Sequence, residues 1–311
     1  KTDFSRKMKS DATGVKIATG KPPRIITGIL MIIGTVLCFA CMDATAKWLG
    51  RSIPPVQVVA VRYIGSVIFA SLLLNPWRAP KVMRTRRPRL QCLRSAFLLL
   101  STTCSYVAVQ YLPLTDMTTL TFASPLMVPL FAGPFLGEKI GPRRVAAIVV
   151  GFIGVLVVTR PVGHAFHAAA LLVLLGALVN AFYSIATRKL AGQDAPETTM
   201  FYTGIVGAAV MLPVLPFVWE TPPEPRVWGM MAAIGALGAL AHWLLILAHK
   251  HAPASILAPF YYTQLIGAVA IGAVVFGELP DRWTLIGAGI IVASGLYVLY
   301  RESVRRRERE G

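Results

Sequence analysis

Ten apolar runs, each about as long as a membrane-spanning helix and parted by short basic or proline-bearing gaps, constrain this chain more than any other feature. They are 25–48, 56–75, 91–111, 115–136, 144–160, 168–188, 197–218, 226–248, 253–276 and 283–300. A helix needs about 20 mainly apolar residues to cross a bilayer, and it must satisfy its own backbone polar groups there. The pattern predicts an all-α membrane protein of ten transmembrane helices. Only 14% of the 311 residues are charged and 55% are hydrophobic, whereas a soluble domain carries about 25% charged residues. Pro125, Pro129 and Pro134 fall within the fourth run, where neighbouring helices can satisfy the carbonyls that prolines free. Gly151 and Gly154 in the fifth run, and Gly287 and Gly289 in the tenth, offer small faces for close helix contact.

The formal charge of +17 does not indicate nucleic acid, because the basic residues lie in gaps between apolar runs and not on one folded polar face. Their distribution sets orientation instead. With the first segment inside, the inner gaps hold the tail, the Arg78–Arg94 stretch, Lys139, Arg143, Arg144, Arg188, Lys189, Lys250 and the Arg301–Arg309 stretch. The outer gaps hold only Lys47, Arg51, Arg160, Arg226 and Arg282. Both termini are therefore expected in the cytoplasm and the protein in the inner (plasma) membrane. Residues 1–24 and 301–311 read as basic cytoplasmic tails. The first apolar run is too long for a signal sequence and lacks a cleavage site. The Arg84–Arg87 loop and the Arg305–Arg307 tail suit anionic lipid, so the lipid bilayer is itself a partner.

An internal repeat divides the chain. Ala108–Pro113 aligns with Ala248–Pro253, and Gly137-Glu138 with Gly277-Glu278, at one constant offset; a two-residue shift aligns Gly34, Ala44, Thr45 and Lys47 with Gly176, Ala186, Thr187 and Lys189. The predicted units are residues 25–160 and 168–300, each with five helices. An odd number makes the second unit start from the opposite membrane face, giving two inverted five-helix repeats. Secondary carriers use this device, with the solute site near mid-depth between the halves.

Polar residues inside such helices are costly, so they mark candidate sites. Asp43 and Lys47 are one turn apart in the first helix, and Arg62 lies at similar depth in the second; Asp43 is expected to pair with Arg62, Lys47 or both. The group reads either as a solute-binding or proton-coupling site or as a buried network tying helices 1 and 2. His242 and Trp243, Tyr261, Tyr262 and Gln264, Asn180 and Tyr183, and Tyr106 with Ser101, Thr102, Thr103 and Ser105, are further candidates, joined by Thr118, Thr119, Thr121 and Ser124. They could line a cavity with aromatic walls, or simply bond helix to helix. Glu138 and Glu278, at equivalent turns on opposite faces, are expected to charge the start of the helix that follows each.

Other chemistries find little support. Cys38, Cys41, Cys92 and Cys104 sit in or beside apolar runs and read as packing residues, and Cys38-Phe-Ala-Cys41 lacks a thiol-activating setting. His164 and His167 fall outside, His242 within helix 8, and His249 and His251 at its inner end, so no metal site is expected. No His-Glu-x-x-His, Gly-x-Ser-x-Gly or clustered nucleophile and base is present, which argues against an intramembrane lipid-modifying enzyme. No cofactor is implied. The sequence allows a homo-oligomer without setting its size.

Arg62-Tyr63, Tyr111-Leu-Pro113-Leu, Leu136-Gly-Glu138 and Gly151-Phe-Ile-Gly154-Val, followed by Ala252-Pro-Ala-Ser255, Phe276-Gly-Glu278 and a glycine-bearing last helix, occur in an order that resembles the ten-helix EamA branch of the drug/metabolite transporter superfamily. The resemblance spans nearly all of residues 25–300. It implies a secondary transporter of small organic metabolites working by alternating access. Helices 1, 3, 4, 6, 8 and 9 would surround the cavity and helices 5 and 10 would be peripheral supports. The Asp43–Trp48 helix end and Tyr261-Tyr-Thr-Gln264 look most like the branch of proposed S-adenosylmethionine and riboflavin uptake carriers. An amino-acid or drug exporter of the same superfamily is the alternative. The second half has Phe201 near the place that would match Arg62, so any role of that arginine is one-sided.

Overall fold

The computed structural model describes residues 25–74, 84–136, 141–160, 167–190, 193–222 and 224–310. Glu138, His164 and the 1–24 tail lie outside them. The described residues form helices α1 (Ile25–Leu49), α2 (Pro55–Leu74), α3 (Pro88–Ala108), α4 (Leu114–Thr121), α5 (Ala123–Leu136), α6 (Pro142–Thr159), α7 (Ala169–Leu190), α8 (Pro196–Met211) and α9 (Pro225–His251). A helical turn at Ala254–Leu257 and a 3-10 turn at Ala258–Tyr262 lead into α10 (Thr263–Ile271). A π-helical turn, Gly272–Phe276, and α11 (Arg282–Glu310) complete the chain.

Seven stretches among the described residues are long and apolar enough to cross a membrane: Ile25–Leu49, Pro55–Leu72, Pro142–Thr159, Ala169–Leu190, Pro225–His251, Ala258–Phe276 and Arg282–Arg301. The three other expected spans depart from that simple form for identifiable reasons. α3 carries Gln91, Arg94 and a run of hydroxyls that lower its hydropathy. The span at 115–136 is broken at Phe122, because Pro125 has no N–H to give the Thr121 carbonyl. α8 stops at Met211 just before Pro213, with one further turn at Leu215–Val218. Pro259 has the same effect as Pro125 on the lead into α10, where the chain tightens to 3-10 geometry.

The helices pack in pairs. α1 lies against α9, α3 against α7, and α6 against α11. The first two pairs run antiparallel. A Cβ on Gly28 would meet Ala248 and Ala252, one on Gly34 would meet Leu244, and one on Gly238 would approach Met42. Gly176 likewise abuts Ser101 and Cys104, while Arg94 meets Thr187. Side chains such as Ile68, Leu72, Val149, Ile153, Leu156, Leu285 and Ile286 are exposed on the outside of the bundle, which suits a surface solvated by lipid. Cys104 is buried, but Cys41 and Cys92 are exposed, so packing does not account for all four cysteines.

Without a hydrophobic drive between helices in lipid, close contact depends on small residues. A Cβ on Gly287 would come within 2.7 Å of the Gly154 carbonyl oxygen and 2.4 Å of a Val158 methyl, whereas Gly289 has nothing within 4 Å. The two glycines expected to act together therefore divide: one forms the α6–α11 contact and the other faces away. Gly287→Val should cost about 1–3 kcal/mol through overpacking and lower the melting temperature in detergent. Gly289→Val should leave it near the wild-type value.

The α11 start is capped by Asp281, whose Oδ1 accepts the Thr284 N–H at 2.7 Å while its Oδ2 meets Arg160 at 2.6 Å. Partial burial raises this carboxyl, but the Thr284 bonds and Arg160 outweigh it and hold the group below its usual range. Its contribution is thus complete above the ordinary carboxylate pKa and is lost as pH falls through the lower folded-state value. Asp281→Ala should cost about 1 kcal/mol near neutral pH, and the difference from wild type in thermal melts should shrink in strong acid.

Candidate functional site

A cavity of about 520 Å³ lies among α1, α3, α4–α5, α7, α9 and the 3-10/α10 segment, and it reaches Arg62 on α2 and Gly295, Val298 and Leu299 on α11. The last helix is therefore not only peripheral. The breaks in two spans meet beside the cavity: the Phe122 and Tyr262 rings pack with centroids 4.9 Å apart. Discontinuous helices put backbone polar groups at mid-membrane depth only where protein or a polar cavity receives them.

Of the residues singled out from sequence, Asp43, Arg62, Tyr106, Asn180, Tyr183, His242 and Gln264 line this cavity, as do Ser101, Thr102, Ser105, Thr118, Thr121 and Ser124. Lys47, Trp243 and Tyr262 do not. Tyr261 holds the lining position next to Tyr262, whose hydroxyl lies where a Cβ of Gly295 would be. Phe39, Met42, Phe122 and Arg188 also line the space. Nothing in the sequence marks these four for the cavity, because apolar and helix-end residues carry no signal of a lining position.

The expected ion pairs are not formed. Asp43 Oδ2 accepts a hydrogen bond from Gln264 Nε2 at 3.3 Å. Arg62 donates from Nε to Met42 Sδ at 3.3 Å and from Nη1 to Thr102 Oγ1 at 3.2 Å. Its guanidinium stacks over Tyr63 and Tyr106, 4.8 and 5.7 Å from the ring centroids. Asp43 and Arg62 thus share a cavity wall, but each contacts neutral groups. Beside them His242 Nδ1 donates to the Gly238 carbonyl at 2.8 Å, and its ring meets Phe39 edge-on at 5.7 Å. Across the cavity Ser124 Oγ donates to Asn180 Oδ1 at 3.2 Å.

Lys47 turns away to one end of the bundle. Its ammonium meets Glu278 at 2.5 Å and the Leu112 carbonyl at 2.8 Å, and Glu278 Oε2 also accepts the Leu114 N–H at 3.1 Å. Glu278 therefore charges the start of α4, far away in sequence, while Asp281 serves the helix that follows. Gly277 just before it has φ +68°, a conformation that glycine adopts freely, and this turns the chain toward Lys47.

At the opposite end a second buried cation ties the two halves. Arg94 donates to Thr187 Oγ1 at 2.7 Å, Thr203 Oγ1 at 2.7 Å, Tyr183 OH at 2.6 Å and the Thr199 carbonyl at 3.3 Å. From sequence it was only one of several inner charges, since nothing in a single position tells a loop arginine from a buried one.

These features define a multi-pass, all-helical membrane protein with a polar-lined internal cavity, the architecture of a small-molecule carrier. The profile of the EamA-like transporter family matches residues 26–160 and again 167–300, and the chain belongs to that family. It is a transporter of small metabolites and not an enzyme. Similar proteins include an S-adenosylmethionine uptake transporter of Rickettsia conorii, 30% identical over 89% of this chain and 94% of the relative. A riboflavin transporter of Vibrio cholerae is 28% identical over 91% and 97%, and a pseudopaline exporter of Pseudomonas aeruginosa 27% over 86% and 94%. A solved crystal structure shares the fold with a TM-score of 0.63 at 18% identity, over 91% of this chain and 99% of the other.

Proposed function

We propose that the chain is a secondary carrier in the inner (plasma) membrane that takes up a vitamin or nucleoside-like metabolite, of the riboflavin or S-adenosylmethionine kind, by alternating access. The cavity is the observation that carries this reading. It extends from Asp43 to Arg188 in the last turn of α7 and Leu299 of α11, toward the end that holds Arg94. The Lys47–Glu278–Leu114 contacts latch the other end. A conformer latched at one end and hollow toward the other is one of the two states that alternating access requires. With the Arg94 end in the cytoplasm, as the charge distribution favours, it is the inward-facing state, and both termini are cytoplasmic.

Ten spans in two inverted repeats, residues 25–160 and 168–300, fit the helix contacts. Exchanging the halves maps the α1–α9 contact onto the α7–α3 contact, and the α6–α11 pair onto itself. Antiparallel α1 and α9 are what inversion requires. Pro113 sits beside Lys47 while Pro253 follows the Ala252 that abuts Gly28, so these repeat-equivalent turns stand at opposite ends of α1, about 28 Å apart at 1.5 Å per residue. The Arg84–Arg87 loop, at the end that holds Arg94, suits contact with anionic lipid.

The relative that exports pseudopaline supports export as the second reading. Vesicles containing the purified protein, loaded or bathed with labelled riboflavin, S-adenosylmethionine and a panel of amino acids, with and without an imposed proton gradient, test both. Accumulation of a nucleoside-like or flavin probe from the outer face is expected. Movement of amino acids alone, outward, would favour the exporter, and a flat response across the panel would overturn the carrier assignment.

A further inference from the structure

Resting on the carrier reading, we propose that Asp43, Arg62 and Tyr106 form a receptor for a zwitterionic amino-acid headgroup, the ammonium against Asp43 and the carboxylate against Arg62 and the Tyr106 hydroxyl. Three observations converge on it. An acid and a base face one cavity without pairing with each other, and their direct partners are an amide, a thioether, a hydroxyl and aromatic rings. Buried charges are normally paired, since neutral partners recover only part of the lost hydration. A solute with one charge of each sign would complete both at once. The third member is the Tyr106 hydroxyl, which has no hydrogen-bond partner although the residue is only 2% exposed and lines the same cavity. An orphaned buried hydroxyl beside a guanidinium is suited to donate to an arriving carboxylate.

The rest of the solute would lie toward Phe122 and Tyr261, whose rings line the cavity and suit a flat ring system. A receptor of this kind distinguishes ring compounds bearing an amino-acid head from ring compounds such as flavins that lack one.

The test is calorimetric binding to the full-length protein in detergent, using S-adenosylmethionine, methylthioadenosine, which keeps the ring and lacks the head, and riboflavin. Wild type should bind S-adenosylmethionine about tenfold or more tighter than methylthioadenosine, the scale set by one charge-assisted pair. Asp43→Asn and Arg62→Gln should collapse that ratio toward one. Tyr106→Phe is the variant least able to disturb folding, because the hydroxyl it deletes makes no bond. It should leave the unliganded melting temperature equal or slightly higher and still weaken S-adenosylmethionine several-fold. A wild-type ratio near one, or equal tightness for riboflavin, overturns the headgroup assignment, as does a Tyr106→Phe protein that melts lower and keeps its affinity. Vesicle uptake measured in parallel keeps the two readings apart. Uptake without head preference sinks this proposal alone, and head-selective binding with no uptake of any probe sinks the carrier reading alone.

Discussion

Lys47→Met should reduce transport about tenfold or more while the purified protein in detergent, where both ends are accessible, still binds solute. Lys47 ties α1 to both the Leu112–Leu114 turn and the Glu278 turn, which are themselves joined by the Leu114 N–H to Glu278 bond. Its side chain is 8% exposed and that of Glu278 26%. Removing one partner of a buried pair costs about 3–5 kcal/mol, and partial exposure of Glu278 places this case at the low end. A penalty that falls on the state latched at this end moves its equilibrium with the alternative state by the same amount, and 1.4 kcal/mol is already about tenfold in population. Cysteine labelling of Thr118→Cys from the Lys47 face, in a background without Cys38, Cys41, Cys92 and Cys104, gives a direct readout. It should become faster in Lys47→Met. Exchanging the charges, Lys47→Glu with Glu278→Lys, should recover only part of the activity, since a lysine at 278 has no oxygen to accept the Leu114 N–H. Unchanged labelling and uptake in Lys47→Met would remove the latch from the mechanism.

Arg94→Ala should do comparable damage through folding. The residue is 4% exposed and donates to four oxygens on α7 and α8, with its guanidinium 4.4 Å from the Tyr183 ring centroid. Truncation removes every one of these bonds and leaves a hollow where the planar group stood. A loss of about 3 kcal/mol or more is expected from bonds to a charged group, each worth roughly 1.5–3 kcal/mol. It should appear as a collapse of the monodisperse peak in detergent and a much lower melting temperature. Arg94→Lys should rescue little, because one ammonium does not span Thr187, Thr203 and Tyr183 together as the guanidinium fork does. A folded, active Arg94→Ala protein would show that the cluster is dispensable for joining the halves.

The helices at 25–48 and 168–188 were readable because hydrocarbon demands an apolar run of fixed length, a property of consecutive residues. The same one-dimensional signal underlay the repeat and the family resemblance. The split of the fourth and ninth spans was half visible: Pro125 and Pro259 are plain in the sequence, but a proline can kink a helix or break it, and packing chooses between them. Gly287 and Gly289 are equivalent in the sequence and are separated only by which face of α11 meets α6.

Partner choice among charged residues was least legible. Asp43, Lys47 and Arg62 were close enough in depth to predict an ion-pair network, yet Lys47 reaches Glu278 and Leu112, Asp43 takes Gln264, and Arg62 takes Met42 and Thr102. Helical spacing fixes height along the membrane normal, and it leaves open the rotation of each helix and its neighbours. By itself the sequence determined the solvent this chain folds in, its helical class, its two-part organisation and its family. The tertiary structure decided which polar groups meet and which end of the bundle is latched. Burial in lipid constrains each segment separately, whereas a cavity exists only where several segments converge.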